Sequence, residues 1–379
     1  MVETGGWGGL GHYAHCLCSA IQEKGVSVCL ATHALNYQLE GVAKRYEVKK
    51  LFRGDGFIRD WRRLYRMVRK HSFKIVHFQS LLSTRRDWLI FLAVGALCST
   101  PKFIYTVHNV LPHEILTGEK LSYRGLYAAA AGLIAHSNIS RDRILAMMGR
   151  GFGTPVKVIP HGHYGEIVAA GQISRARAKK ILGLKDYNYI VFFGSIRPYK
   201  GVHNLLRAVA ECSEWPADLR VLIAGQPGHG ISTRELLELG KRSPIRERVE
   251  LKLQYFPEKM IPAIFKIADL VVLPYLDIDQ SGILMAALAA GRPVLCTPVG
   301  AFPETVHPAI GFLAANTSHQ ALKQALNTAV ANRDSWKAMG ARARKDAELE
   351  FSWDAIAAET IEFYKRIYTS LLHNNQFPL

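Results

Sequence analysis

Short apolar runs rich in β-branched residues alternate with segments of helical periodicity along almost the whole chain. Each run ends near a glycine, histidine or serine, which is typical of parallel strands that lead into helices. The runs fall into two sets, at residues 26–32, 75–78, 103–107, 132–135 and 156–159, and at residues 189–193, 220–223, 249–251, 270–273 and 293–295. The pattern therefore predicts an α/β protein with two open parallel sheets.

The two sets predict two Rossmann-like domains joined near residues 165–188. Within this segment Ser174 is suited to cap a short helix that ends at Gly183. A long helical pattern covers residues 351–372, and a terminal helix of this length can return to the first domain. We therefore predict a first domain of residues 1–168 plus helix 353–379, and a second domain of residues 169–352.

The first residues, Met1 to Thr4, reach a glycine run before a strand of about five residues can form. We therefore expect translation of the natural chain to start about five residues earlier than Met1, which an intact mass would test.

Positive charge is in excess, with 48 Lys and Arg against 31 Asp and Glu, for a net charge of +17. Residues 44–74 hold twelve of the cations, and apolar residues recur there at helical spacing, as at Trp61, Leu64 and Val68. This indicates a basic amphipathic helix, which either packs on the core with a solvated face or binds an anionic membrane surface. Nucleic acid is not expected, because the segment lacks interleaved aromatic platforms.

No apolar stretch reaches the roughly 18 residues that a spanning helix needs, and no secretion signal is recognisable. The six cysteines follow no ligand or disulfide spacing, and no His-Glu-x-x-His motif indicates a metal. We expect a cytoplasmic protein, peripheral at the inner face of the cell membrane.

A glycine run, Gly5-Gly6-Trp7-Gly8-Gly9-Leu10-Gly11, opens the first predicted helix. Such a loop lets a ligand approach the backbone and presents amides to an anion. It matches Gly-x-Gly-x-x-Gly, so an NAD(P)-dependent oxidoreductase is an alternative. The next strand offers no acid before Glu40 to hold a ribose, which weighs against that alternative.

Two cations follow the first strand of the second domain, in Phe193-Gly194-Ser195-Ile196-Arg197-Pro198-Tyr199-Lys200-Gly201. Placed on a turn before a helix, Arg197 and Lys200 can grip a diphosphate. Further along, Gln280-Ser281-Gly282-Ile283 opens a helix and offers amides and a hydroxyl to an anionic or polyol ligand. For Ser281 an ordinary N-cap is the alternative.

Polar residues also gather at strand ends of the first domain, where open α/β sheets place ligands. They are candidates for contacts to sugar hydroxyls and phosphate, although any one of the histidines can instead be structural. These residues are His77, His108, Asn109, His113, Glu114, His161 and His163.

Jointly, five segments resemble glycosyltransferase family four (group 1) and occur in that family's order. They are Gly8-Gly9, residues 105–109, residues 159–162, residues 194–201 and Gly291-Arg292-Pro293-Val294. The resemblance implies a GT-B fold, a donor diphosphate held by Arg197 and Lys200, a donor sugar near His108, and Gly8-Gly9 close to the reaction centre. Residues 161–164, 196–201 and 281–282 are also similar to bacterial exopolysaccharide β-mannosyltransferases.

The chain departs from the family pattern where two glutamates usually stand eight residues apart, because Ile278 and Ala286 occupy those positions. We expect Asp277, Asp279 or Gln280 to substitute, with the backbone of Gln280 to Ile283 binding sugar or phosphate.

The resemblance implies a metal-independent hexosyltransferase with no cofactor beyond its co-substrate, a UDP- or GDP-sugar. The expected acceptor is a saccharide, lipid-linked through polyprenyl, in bacterial polysaccharide or cell-envelope glycan synthesis. It would lie on the side of His77, Asn109, His113, Glu114 and His161. An inverting reaction needs a base such as His108, His113 or Glu114, whereas a retaining one can use the leaving phosphate. A nucleotide-sugar epimerase is a second alternative.

Overall fold

The computed structural model describes residues 1–6, 8–36, 45–81, 101–112, 118–169 and 173–374. The chain forms two compact units, one of Met1–Gly162 with Ser352–Leu379 and the other of His163–Phe351. The units divide at residue 162, whereas the sequence placed the division at residue 168.

The first unit contains a parallel sheet, and five of its strands lie where the sequence predicts them. Strands β3, β4, β5 and β6 pair in that order, β1 pairs with β2, and Val2 bridges Ala31 of β1 and Phe78 of β3. Strand β2 was not predicted, because its charged and half-buried residues lack a continuous apolar run. The strands are β1 Cys29–His33, β2 Glu47–Phe52, β3 Ile75–Phe78, β4 Lys102–Val107, β5 Gly132–Ala135 and β6 Val156–Val158.

Helices cover this sheet, and the last helix of the chain packs in the same unit, as the sequence predicts. Ile356, Phe363 and Ile367 of that helix are buried in a cluster with Tyr13 and Leu17 of the first helix. The described helices of the unit are Gly8–Glu23, Phe57–Lys70, Glu119–Ala129, Asn138–Met148 and Trp353–Asn374. No helix among the described residues is long and apolar enough to cross a membrane.

The second unit contains a six-stranded parallel sheet in the order β12-β11-β10-β7-β8-β9. Its first strand, β7, lies in the middle, and the chain crosses from β9 back to β10 on the other side of β7. The carboxyl ends of β7 and β10 therefore flank a topological switch point, where open α/β sheets bind ligands. The strands are β7 Asn188–Phe193, β8 Leu219–Ala224, β9 Val249–Lys252, β10 Ala268–Leu273, β11 Val294–Cys296 and β12 Gly311–Leu313.

The predicted short helix at the entry to this unit is confirmed. Ser174 caps the helix Arg175–Leu182 by accepting a hydrogen bond from the Arg177 amide, and Gly183 ends it at a φ of 60°. The other helices of the unit are Gly165–Ala169, Val202–Glu211, Thr233–Gly240, Ile245–Arg248, Ile261–Ile267, Gly282–Ala289, Phe302–Thr305, His319–Ala331 and Trp336–Glu350.

Candidate active site

The loops after β7 and β10 are held together at the switch point of the second sheet. Pro198–Lys200 forms a single helical turn, and Gly201 follows at a φ of 68°. A Cβ at Gly201 would overlap the carbonyl oxygen of Pro274, and the Leu276 amide donates to the Tyr199 carbonyl at 2.7 Å. Since only glycine permits this approach, the turn that carries Arg197 and Lys200 is fixed against the loop after β10.

Lys200 is a poorly hydrated cation in this turn. Its Nζ lies 3.7 Å from the centroid of the Tyr275 ring and 5.1 Å from that of Tyr199. No carboxylate in the described part of the chain pairs with it, and burial lowers its pKa to about 7. Because desolvation disfavours the ammonium form, an anion bound beside Lys200 would stabilise the charge.

A cavity of about 400 Å³ lies beside Arg197, between the ends of β7, β8 and β9. A Cβ at Gly228 would lie 2.7 Å from Arg197 Nε, so the guanidinium stem packs on that backbone. Tyr255, with 70% of its surface exposed, offers an aromatic face at the rim. This cavity was not predicted from the sequence, although β8 and β9 were predicted and their ends could have been searched. Its lining includes Phe193, Ser195, Gln226, Gln254, Tyr255 and Phe256.

The loop after β10 combines capping with an unsatisfied polar group. Ser281 Oγ accepts from the Leu284 amide at 3.3 Å, and the Ser281 amide donates to Gln280 Oε1 at 2.7 Å. Ser281 is therefore an N-cap, which was the alternative interpretation, and Gly282 and Ile283 form the first turn of the helix. The buried hydroxyl of Tyr275 makes no hydrogen bond of good geometry with a described residue, although the Ser281 side chain lies near it.

The positions where the family has glutamates are buried and apolar. Ile278 and Ala286 expose 5% and 4% of their surface, so neither can bind a sugar hydroxyl through its side chain. Of the expected substitutes, Asp279 is buried, Gln280 is half-buried and Asp277 is exposed. Asp279 also fixes the loop, since its carbonyl accepts from the Ala301 amide.

Histidines gather around one aromatic ring in the first unit. The centroid of Tyr13 lies 4.8 Å from His108, 5.3 Å from His136 and 5.0 Å from His161. Burial lowers the pKa of His136 to about 4 and of His161 to about 3, and holds the pKa of His108 and His77 well below the ordinary value. At neutral pH these rings are therefore uncharged, and each acts as a hydrogen-bonding group.

His136 was not predicted from the sequence, although it follows strand β5 as His108 follows β4. His136 Nε2 lies 3.2 Å from His108 Nδ1, and His108 Nε2 lies 2.9 Å from Gln79 Oε1. His77 is more enclosed, with its ring nitrogens 2.6 Å from the hydroxyls of Thr106 and Tyr364.

Elsewhere in this unit the expected site residues are less informative. Asn109 is exposed, and the expected residues His113 and Glu114 lie outside the described part of the chain. His163 is the first residue of the second unit.

The amides at the start of the glycine run are occupied by the chain itself. The Glu3 carboxylate accepts from Gly5 N at 2.8 Å and from Gly6 N at 2.7 Å, and Thr32 Oγ1 donates to it at 3.2 Å. A dinucleotide pyrophosphate would have to displace this buried carboxylate, which weighs against the oxidoreductase alternative. Gly8 and Gly9 follow as the first residues of the helix Gly8–Glu23.

Two protein-family models match the chain, one in each unit. Residues 7–163 match Glycosyltransferase Family 4, and residues 174–346 match Glycosyl transferases group 1.

Two relatives are named D-inositol 3-phosphate glycosyltransferase. The protein of Nocardia farcinica is 35% identical over 196 residues, which are 50% of this chain and 43% of the relative. That of Segniliparus rotundus is 26% identical over 308 residues, or 78% of this chain and 66% of the relative. The match thus spans less than two thirds of the length of either relative.

Among solved structures, Anabaena HepE in complex with UDP and glucose is similar, with a TM-score of 0.77 and 18% identity. The similarity covers 96% of this chain and 98% of HepE. At this level of identity the likeness establishes the fold, which is GT-B with two Rossmann-like units.

Proposed function

The chain belongs to glycosyltransferase family 4, group 1, and we propose that it transfers a hexose from a nucleotide diphosphate sugar to a saccharide acceptor. The observation that carries the proposal is the turn of Arg197 and Lys200 at the switch point of the second sheet. There a desolvated lysine shares a turn with an arginine, and the arginine borders a cavity. This combination suits a diphosphate joined to a nucleoside.

The donor nucleoside fits the cavity at the ends of β7, β8 and β9. A volume of about 400 Å³ is within the range of small-ligand pockets. Tyr255 supplies an aromatic face for a base, and the amides of Gln226 and Gln254 supply polar contacts. Arg197 borders the cavity, so a nucleoside there would direct its diphosphate towards Lys200.

Catalysis then rests on the charge that builds on the departing diphosphate. Arg197, Lys200 and the amides of Gly282 and Ile283 are placed in advance for this charge, which lowers the barrier without a metal or other cofactor. Burial lowers the pKa of Lys200 to about 7, so an anion bound beside it favours the ammonium form, and the attraction between the two charges is weakly screened in this desolvated place. With Ile278 and Ala286 apolar, the backbone amides of Gly282 and Ile283 hold the donor in place of the usual glutamates.

The donors to test first are UDP-glucose and other UDP-hexoses, since the similar HepE structure is a complex with UDP and glucose. GDP-mannose follows from the resemblance to β-mannosyltransferases. On the acceptor side we propose a saccharide on a polyprenyl carrier, near the exposed Asn109 and over the buried His77 and His161. The names of the two relatives add a phosphorylated polyol, inositol 3-phosphate, as a second acceptor to test.

Membrane attachment through the helix Phe57–Lys70 is part of the proposal. Trp61, Leu64 and Val68 are buried, while the other face is exposed and basic. Arg63 is neutralised by Asp55 and Asp60, but the exposed cations Arg62, Arg66 and Arg69 form no ion pair with a described residue. Ile58, 64% exposed, adds an apolar contact beside this charge.

Sedimentation with vesicles tests the attachment. We expect binding to vesicles rich in phosphatidylglycerol, reversal by salt, and loss when Arg62, Arg66 and Arg69 are changed to Gln. The matched control removes the same charge from exposed positions of the second unit, at Arg234, Lys241 and Arg242. Equal binding to neutral vesicles, or equal loss in the control, would remove the membrane from the proposal.

The transferase is tested by release of nucleoside diphosphate from each donor, with and without acceptor. We expect acceptor-dependent release that falls well over tenfold in Lys200→Ala and is unchanged in Lys337→Ala, an exposed lysine on the helix Trp336–Glu350. Conversion of the donor to an epimer without acceptor would instead establish the epimerase alternative.

A further inference from the structure

Three polar side chains of the first unit form a series of hydrogen bonds that ends at a backbone carbonyl. His136 Nδ1 lies 3.0 Å from the carbonyl oxygen of Ile159, and His136 Nε2 lies 3.2 Å from His108 Nδ1. His108 Nε2 lies 2.9 Å from the Gln79 side-chain amide. His136 and Gln79 expose 5% and 1% of their surface, so water cannot substitute freely for these partners.

The carbonyl fixes the direction of the hydrogen bonds. A carbonyl oxygen only accepts, so His136 must carry its hydrogen on Nδ1. Burial keeps His136 neutral at physiological pH by lowering its pKa, which leaves a lone pair on Nε2. His108 must then donate to that lone pair from Nδ1, and its own lone pair is on Nε2.

The number of hydrogens that the two neutral rings carry also determines the orientation of the Gln79 amide. With the amide oxygen towards His108 Nε2, the bonds would need three hydrogens on the four ring nitrogens, and therefore a buried imidazolium. With the NH₂ group towards His108, both rings stay neutral and each bond of His136 and His108 has one hydrogen, while the amide gives up the weaker bond that its NH₂ group otherwise donates to Met1 Sδ at 3.0 Å. The amide oxygen then faces His77 Nε2, 3.2 Å away across the same amide.

We propose that His136 is a positioning residue that holds His108 in its Nδ1–H tautomer and so keeps His108 Nε2 as a hydrogen-bond acceptor. The value of this for catalysis rests on the proposed function. His108 is half-buried and is less enclosed than His136 and His161 beside it. In the free protein the Nε2 lone pair accepts from the Gln79 NH₂ group, and a sugar hydroxyl can donate to it in exchange for that bond, whereas the opposite tautomer would present a hydrogen to the hydroxyl.

The tautomer is measured by nitrogen NMR of the full chain with ¹⁵N-labelled histidine, the His108 signals being assigned with His108→Gln. We expect a protonated Nδ1 and an unprotonated Nε2 in the native protein and in His136→Gln, whose amide can both donate to Ile159 and accept from His108. In His136→Phe we expect the hydrogen on Nε2, because no acceptor faces Nδ1. An Nε2–H tautomer in the native protein, or an unchanged tautomer in His136→Phe, would overturn the proposal.

Steady-state kinetics supply the functional readout. We expect His136→Phe to lower kcat by about tenfold or more with the donor KM unchanged, the size of effect seen for partners that orient a functional histidine. His136→Gln should restore most of the rate, and His71→Phe, a histidine of the same unit outside this series of hydrogen bonds, should have no effect. Equal kcat in His136→Phe and the native protein would contradict the proposal.

The NMR result does not depend on any substrate. If the protein shows the expected tautomers but no transfer activity, the proposed function is contradicted and the role of His136 is not.

Discussion

Replacing Lys200 with methionine is expected to stabilise the protein while weakening its donor site. Methionine is unbranched and similar in length, so it keeps the packing on Tyr275 and Tyr199 but removes the ammonium group. Burial lowers the pKa of Lys200 from 10.5 to about 7, which means that the fold disfavours its charged form. A residue retained at a cost in stability is expected where a ligand needs it.

The sign and size follow from proton linkage. Between pH 7 and 10.5 the unfolded chain holds the Lys200 proton more tightly than the folded chain does, because the folded pKa is the lower one, so stability rises with pH in this range. A pKa difference of about 3.5 corresponds to about 5 kcal/mol at most. Partial exposure of the side chain and its attraction to the Tyr275 ring reduce this, so we expect Lys200→Met to gain about 1–3 kcal/mol near neutral pH.

Urea unfolding across this pH range, combined with titration of nucleoside diphosphate, is the assay. The native protein should gain stability relative to Lys200→Met as pH rises from 7 to 10.5, because only the native protein carries the lysine whose folded pKa lies below its unfolded one. Lys337→Met serves as the control for an exposed lysine. A Lys200→Met protein that is less stable than the native one, with the same pH dependence and the same nucleotide affinity, would refute the reasoning.

Three further substitutions test separate parts of the site. Tyr275→Phe removes a buried hydroxyl that makes no hydrogen bond of good geometry with a described residue, and it should raise the free energy of unfolding by about 1–2 kcal/mol in urea. A loss of stability would mean that the hydroxyl is satisfied, with Ser281 as the nearest partner. In Gly201→Ala the new methyl group meets the Pro274 carbonyl, and the free energy of unfolding should fall by about 3 kcal/mol or more in thermal unfolding. Gly8→Ala, also at positive φ but in open space, should lower it by about 1–2 kcal/mol. Equal losses in the two variants would contradict the fixed turn. Tyr255→Ala should weaken nucleotide binding several-fold in calorimetry with little change in stability, and unchanged binding would remove the base from this cavity.

Short-range signals allowed much of the fold to be predicted from the sequence. The helix between Ser174 and Gly183 was predicted from its cap and its terminating glycine, and both act through neighbouring residues. Strands that are buried on both faces were also predicted, because each of them is a continuous apolar run in the sequence. Strands β2 and β12 were missed, since β2 is largely polar and β12 has only three residues.

The parts of the site that depend on contacts distant in sequence could not be predicted. Glu3 fills the start of the glycine run through a turn that no motif describes. The partners of His108 come from the ends of two other strands, β3 and β5. Tyr275 is distant from Lys200 in the sequence, and the pairing of β7 with β10 brings the two side chains together. The residue types indicated the chemistry of the site, but pairing of the strands determines which groups meet.

Calorimetric titration of the native protein and of Lys200→Ala with UDP, GDP and their hexose conjugates tests the central claim most directly. We predict that one nucleotide and its sugar bind the native protein, and that the affinity falls at least tenfold in Lys200→Ala while the variant keeps its fold. Absence of binding to every nucleotide, or equal affinity in the variant, would contradict a donor site at Arg197 and Lys200.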